Sequence, residues 1–277
     1  VRGVEFSPDG EWLLAVGDDD QLQGWRSPDN GASYQPFYGL KAHEKEIRCL
    51  CLRGDRLYTS GEDRQISVWD YRQGTQVRCI ETSHRSGIFA LAACGKDSLA
   101  SGSWQGEIAI WNADTGAAKR SLRGHFDAVL ALVGHPDGQR LISAGKDRKV
   151  NIWDLRTGNC IQTLEHSEQI YALALSPDGR TLATGCRSDR YIRLWDLETA
   201  QVQQTLEGRQ TSIWQLAFSR DGCHLFSGTD DSRIQIWELT SANLRLQLEG
   251  HRNSVYALAV SPLKPLLASG SWDRSVR

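Results

Sequence analysis

Short stretches of alternating apolar and polar residues run through the chain, and five of them end on tryptophan. They are Ile66-Ser67-Val68-Trp69, Ile108-Ala109-Ile110-Trp111, Val150-Asn151-Ile152-Trp153, Ile192-Arg193-Leu194-Trp195 and Ile234-Gln235-Ile236-Trp237. Two-residue alternation rich in β-branched side chains predicts a strand with one buried face. Leu22-Gln23-Gly24-Trp25 is a weaker first copy, and Val276-Arg277 begins another. A second alternating segment lies upstream in each copy, as in Ile170-Tyr171-Ala172-Leu173-Ala174-Leu175 and Val255-Tyr256-Ala257-Leu258-Ala259-Val260. Turns follow it: Ser7-Pro8-Asp9-Gly10, His135-Pro136-Asp137-Gly138 and Ser176-Pro177-Asp178-Gly179. Pro presets φ, Asp bonds back to the backbone and Gly accepts positive φ, so these are tight hairpin turns. A small-residue strand such as Leu141-Ile142-Ser143-Ala144-Gly145 comes next, and a further strand follows each Trp, such as 159–164.

That makes four strands per repeat. The tryptophans stand at 25, 69, 111, 153, 195 and 237, so the period is 44 residues once and 42 thereafter. Short strands at even spacing predict an all-β repeat fold rather than βαβ units. The chain resembles the WD-repeat family of β-propellers over essentially its whole length. The resemblance is carried by Trp-Asp at Trp69-Asp70, Trp153-Asp154 and Trp195-Asp196, and by Gly-His at Gly124-His125 and Gly250-His251. Asn112, Glu238 and Arg26 replace the Asp after Trp111, Trp237 and Trp25. The resemblance implies one domain, residues 1–277, with seven four-stranded antiparallel blades around a channel, the seventh incomplete in this chain. The blades fall at about 1–40, 44–82, 85–123, 126–165, 167–207, 210–249 and 252–277.

The family further implies a hydrogen-bonded tetrad inside each blade. The expected sets are His43, Thr59, Asp63 and Trp69; His125, Ser143, Asp147 and Trp153; and His166, Thr184, Asp189 and Trp195. The last has one extra residue between Thr184 and Asp189. Imidazole, hydroxyl, carboxylate and indole N–H satisfy one another where water is excluded, and a complete set specifies the packing. Three blades depart from the pattern. The third has His84, Ser101 and Trp111 with Gln105 at the Asp position. The sixth has Ser227, Asp231 and Trp237 with Arg209 at the His position. The first has Asp19 and Trp25 with Ala15 at the hydroxyl position.

Because these residues recur once per blade, they are not read as Ser/His/Asp catalytic triads, which are recognised by geometry and not by composition. The histidines fall in different blades and make no metal cluster. Cys49 and Cys51 share one strand face and read as small buried hydrophobes. Asp18-Asp19-Asp20 lacks the remaining ligands and glycine spacing of a calcium loop and reads as a turn. No phosphate-binding loop, nucleophile elbow or zinc-protease motif occurs. No cofactor is expected.

The balance of 32 Lys and Arg against 34 Asp and Glu argues against nonspecific nucleic-acid binding. Of the 32 cations, 25 are Arg, which suits planar bidentate pairing. The longest uninterrupted apolar stretch, Ile88 to Cys94, is too short for a membrane helix. Seven Cys without a CxxC pair, and no Asn-x-Ser/Thr acceptor, point to a reducing, cytoplasmic setting.

Function is therefore sought on the surface. By resemblance to the family, partners bind the face around the channel mouth, and two positions per blade matter there. The position before the tetrad Asp holds Asp18, Glu62, Trp104, Lys146, Ser188, Asp230 and Trp272. The position after the first apolar residue of the inner strand holds Arg2, Arg48, Phe89, Leu130, Tyr171, Trp214 and Tyr256. Aromatics beside Arg make the composition of interface hot spots. Trp104 and Trp272 lie outside the repeat register, so the fold does not require them. The partner-binding candidates are Trp104, Trp272, Trp214, Tyr171, Tyr256, Phe89, Arg48, Glu62, Lys146 and Asp230, and the expected role is a non-enzymatic scaffold or sensor for a protein or peptide. The alternative is a hydrolase or lyase with its site in the channel mouth, which needs a non-repeating cluster of titratable residues there.

A chain without Met whose seventh copy stops inside its third strand is expected to be a piece of a longer polypeptide, whose other domains are candidate partners. The regular Ser-Pro-Asp-Gly turns resemble those of bacterial, especially cyanobacterial, WD-repeat proteins. The segment Ser27-Pro28-Asp29-Asn30-Gly31 reads as an extended surface loop.

Overall fold

The alternating segments fold into antiparallel hairpins. In the computed structural model, which describes residues 1–29, 31–208 and 211–277, six sheets have four strands and one has two. Residues 3–41, 47–81, 88–122, 129–165, 170–207 and 213–248 form the four-stranded sheets, and 255–271 the two-stranded one. Chain order is spatial order within every sheet. The fourth shows the plan, with strands Val129–Gly134, Arg140–Gly145, Lys149–Asp154 and Cys160–Glu165 from inside to outside. The first strands of neighbouring sheets touch around a complete circle, and the two-stranded sheet sits between the sixth and the first. The Val1 ammonium donates to the Ser271 carbonyl at 2.8 Å across that junction. The result is a β-propeller with a central channel of about 770 Å³.

The turn chemistry works as the residues dictate. Ser176 Oγ donates to Asp178 Oδ1 at 2.5 Å, and Gly179, at φ 75°, donates its N–H to the Ser176 carbonyl at 2.8 Å. The core lies between blades, because each sheet has two faces and both must be covered. Trp153 is 1% exposed and packs with Ala100, Ile108 and Leu122 of the third blade. The Gly124 of a Gly-His pair is needed there, since a Cβ on it would meet the Trp153 ring at 2.8 Å. Trp195 and Leu197 pack in the same way against Ile142 and Leu164 of the fourth blade.

Two expected tetrads are complete. His43 bonds Asp63 and Thr59, each at 2.7 Å, and Trp69 Nε1 donates to Thr59 at 2.9 Å. His125 bonds Asp147 and Ser143, each at 2.7 Å, and Trp153 Nε1 donates to Ser143 at 2.8 Å. The fifth set is a correction. His166 bonds Thr184 at 2.9 Å and Trp195 donates to Thr184 at 3.1 Å, but Asp189 accepts from Arg193 instead. His166 Nδ1 is buried with no partner among the described residues. The extra residue is the cause. Ser188 takes the positive φ of 60° in this turn, where Arg64, Arg148 and Arg274 take it one place after their own aspartates. Asp189 is thereby displaced from the histidine. Burial, then the Arg193 charge, push His166 down to about 4.

The departing blades find other partners. In the third, His84 bonds Ser101 at 2.7 Å and Glu107 stands 3.5 Å from His84 Nδ1, two places beyond Gln105. In the sixth, Trp237 donates to Ser227 at 3.1 Å, Asp231 pairs with Arg233 at 3.0 Å, and Arg209 lies outside the described residues, as does Asn30 of the first-blade loop. In the two-stranded sheet, His251 bonds Asp273 at 2.9 Å and Ser269 at 2.8 Å.

Candidate functional site

The inner-strand position of the ring has a structural cause. In the second blade Ile47 pairs with Gly61 and Cys49 with Ser60, so Arg48 is skipped. The same one-residue slip leaves out Phe89, Leu130, Tyr171, Trp214 and Tyr256 in the following sheets. A bulged residue is released from the ladder and its side chain is re-aimed, here to the channel mouth. Arg2 reaches the mouth from just before the first strand, anchored by its N–H on the Val16 carbonyl at 2.8 Å.

The structure brings these side chains together. Tyr171, Trp214, Tyr256 and Trp272 form one aromatic series with successive centroids 4.9, 4.7 and 5.9 Å apart. Phe89 and Trp104 form a second pair at 4.8 Å. Arg2 lies over Tyr256 and Trp272 at 4.5 and 5.5 Å, and Arg48 over Phe89 at 5.2 Å. Arg2 holds both Asp18 oxygens at 2.9 and 3.0 Å, while Arg48 bonds Glu62 at 2.9 Å and Asp18 at 3.1 Å. Trp214 Nε1 donates to Asp230 at 3.0 Å, and Asp230 also accepts from Ser254 at 2.7 Å. Lys146 Nζ sits 3.5 Å above the Trp104 ring. Of the ten expected residues, Phe89, Trp104, Tyr171, Trp214, Tyr256 and Arg48 line the channel; Glu62, Lys146, Asp230 and Trp272 stand on its rim.

One reading of this ring changes, and one aromatic is added. Arg187, not Ser188, is the equivalent of Lys146: Arg187 N–H donates to Gln169 as Lys146 N–H does to Ala128. Phe126, 73% exposed, was missed; it has Lys149 Nζ 5.9 Å from its ring and donates its N–H to Asp147, the residue after Lys146, at 3.4 Å. The signal was present, because the residues after His43, His84, His166 and His251 are the polar Glu44, Arg85, Ser167 and Arg252.

Glu5 was missed as well. It lines the channel where the other inner strands carry Cys51, Ala92, Val133, Ala174, Ala217 and Ala259. Burial pushes its carboxyl up to about 7, against a Leu52 N–H donated at 2.9 Å. The neighbouring Cys51 is held as a thiol by burial and then by Glu5. Among the described residues no group of three or more His, Cys, Asp and Glu is placed to hold a metal ion, and no helix is long and apolar enough to cross a membrane.

A family model described as "WD domain, G-beta repeat" matches residues 1–26, 34–70, 116–154, 158–196, 200–238 and 242–277. The unmatched 71–115 contain most of the third blade, where Gln105 and Trp111-Asn112 depart from the motif. Autophagy-related protein 16 of Arabidopsis thaliana is 28% identical over 47% of this chain and 26% of its own length. Protein groucho of Drosophila melanogaster is 34% identical over 48% of this chain and 18% of its own. Periodic tryptophan protein 2 of Arabidopsis thaliana is 30% identical over 66% of this chain and 21% of its own. The matches thus span 18% to 26% of the length of these relatives.

Proposed function

The chain belongs to the WD domain, G-beta repeat family, and from that premise we propose that it binds a protein or peptide segment across the channel mouth, without catalysis. The observation that carries this reading is the pair of exposed tryptophans at the ends of two aromatic groups. Trp104 is 43% and Trp272 53% exposed, while the repeat tryptophan Trp153 is 1% exposed. Large aromatics left open beside Arg on rigid strands are the residues from which binding energy is drawn when a partner covers them. We read the two-stranded sheet as the start of a seventh blade, and the module as a cytoplasmic part of a longer polypeptide.

The test is affinity capture with the folded chain beside its Trp104→Ala/Trp272→Ala variant. A partner retained by the first and lost from the second supports the face; equal retention on both overturns it.

The alternative, channel hydrolase or lyase chemistry, draws on Glu5 alone. A carboxyl near neutrality suits proton transfer. Its neighbour Cys51 stays protonated, however, and the thiolate is the nucleophilic form. That favours the binding reading.

A further inference from the structure

The aromatic ring is interrupted at the fourth blade, where Leu130 and Lys146 stand between Trp104 and Tyr171. Beside that gap is a cavity of about 400 Å³, lined by Lys146, Arg148, Ser167, Glu168, Gln169 and Arg187. We propose that this cavity receives the carboxylates of an acidic peptide segment whose apolar neighbours lie on Trp104 and Tyr171. The proposal rests on the channel-mouth reading and names the chemistry of its partner.

The argument is one of charge left over. On the opposite side of the ring, Arg2 and Arg48 are answered by Asp18 and Glu62. Elsewhere in the fourth and fifth blades, Lys149 faces Glu165 at 3.7 Å and Arg190 faces Glu207 at 3.3 Å. Lys146, Arg148 and Arg187 make no ion pair among the described residues, and Glu168 is the one carboxylate in the lining. Three cations against one acid leave a local excess that a chain of net charge −2 does not show elsewhere in this ring. Arg supplies planar bidentate donors for a carboxylate, and Lys supplies a point charge.

Both aromatic groups reach the cavity. Lys146 bridges to Trp104 through the 3.5 Å cation–π contact, and Tyr171 Oη donates to Gln169 Oε1 at 3.3 Å. A segment alternating acidic and apolar residues therefore meets a cation and a ring in turn. The one-residue insertion of the fifth blade matters here. It puts Arg187 on this rim and displaces Asp189, which bonds Arg193 instead.

The experiment is selection of a random peptide display library on the folded chain, on Lys146→Glu/Arg187→Glu and on Trp104→Ala/Trp272→Ala. Lys146, Arg187 and Trp272 are rim residues and Trp104, which lines the channel, is 43% exposed; circular dichroism checks that each variant is folded. The proposal expects peptides enriched in Asp and Glu beside apolar residues on the parent chain. It expects the acidic enrichment to vanish on the charge-reversed variant, with at least about a tenfold loss of affinity for the selected peptides, since like charges repel across an interface. Apolar peptides without acidic enrichment, lost only from the tryptophan variant, overturn this inference and leave the channel-mouth reading intact. No selected peptide, or peptides bound equally by all three, overturns both.

Discussion

Asp189 accepts from Arg193 at 2.7 Å and leaves His166 without an acceptor on Nδ1, although the sequence supplies all four members of that tetrad. One residue separates this blade from a complete network. Deleting Ser188 makes Arg187 and Asp189 adjacent and moves Arg190 to the positive-φ place that Arg64, Arg148 and Arg274 occupy. The His166–Asp189 bond should then form. We expect a gain of about 1.5–3 kcal/mol, the net worth of a hydrogen bond to a charged group. Thermal unfolding of the deletion variant measures it, and an unchanged or lower Tm contradicts the account.

The same histidine sets an acid limit. His166 has a folded value of about 4, below the 6.5 of an exposed imidazole, so the fold holds it neutral. Its contribution is complete above pH 6.5 and is lost as pH falls from there toward 4. The Ser188 deletion should reduce this loss, because an aspartate partner favours the protonated ring. Denaturant midpoints of parent and deletion variant across pH 4–7 read the difference directly, and parallel curves contradict it.

Glu5 acts in the opposite sense. A carboxyl raised from 4.5 to about 7 in the fold contributes fully below pH 4.5, and that contribution is lost as pH rises through 7. Glu5→Gln keeps an acceptor for the Leu52 N–H and removes the charge. The variant should match the parent near pH 4 and exceed it at pH 8 by about 1–3 kcal/mol. A variant no more stable than the parent at pH 8 excludes a buried carboxylate cost.

Tetrad completeness should be visible in hydroxyl deletions. Ser143→Ala orphans both His125 and Trp153, at a cost of about 2–4 kcal/mol. Ser227→Ala removes the acceptor of Trp237 and a 3.4 Å contact to Gln235, at about 1–2 kcal/mol. Chemical denaturation of the two variants gives the comparison, and equal losses contradict it.

Much of this molecule was legible because its repeat period and turn chemistry are local. Trp69 to Trp237 mark the third strand of five blades, and Pro-Asp-Gly marks three of the hairpins without tertiary information. The positions of the ring at the channel mouth came from resemblance to the family, and the strand register gives their physical reason, since each bulged residue sits one place after an apolar strand residue. What escaped depends on backbone register. Arg187 and Ser188 exchange roles through one positive φ, and counting back from Asp189 selects the wrong one. Glu107 reaches His84 from outside the motif position. Glu5 escaped because its isolation appears only when seven inner strands are laid around one channel.

Exposed and buried tryptophans should separate binding from stability. Trp153 is 1% exposed and donates to Ser143, so Trp153→Ala should cost about 3–5 kcal/mol through the cavity and the orphaned hydroxyl network. Trp104 and Trp272 keep 43% and 53% of their surface in solvent and make no hydrogen bond through their side chains among the described residues. Their double alanine variant should unfold within about 1 kcal/mol of the parent, as exposed positions do. Yet it should lose at least about tenfold in affinity for a selected peptide, because truncating a covered aromatic anchor costs about 2 kcal/mol or more. Calorimetric titration and thermal unfolding of the same preparations make the comparison. A double variant that unfolds early and binds normally would assign these rings to packing rather than to recognition.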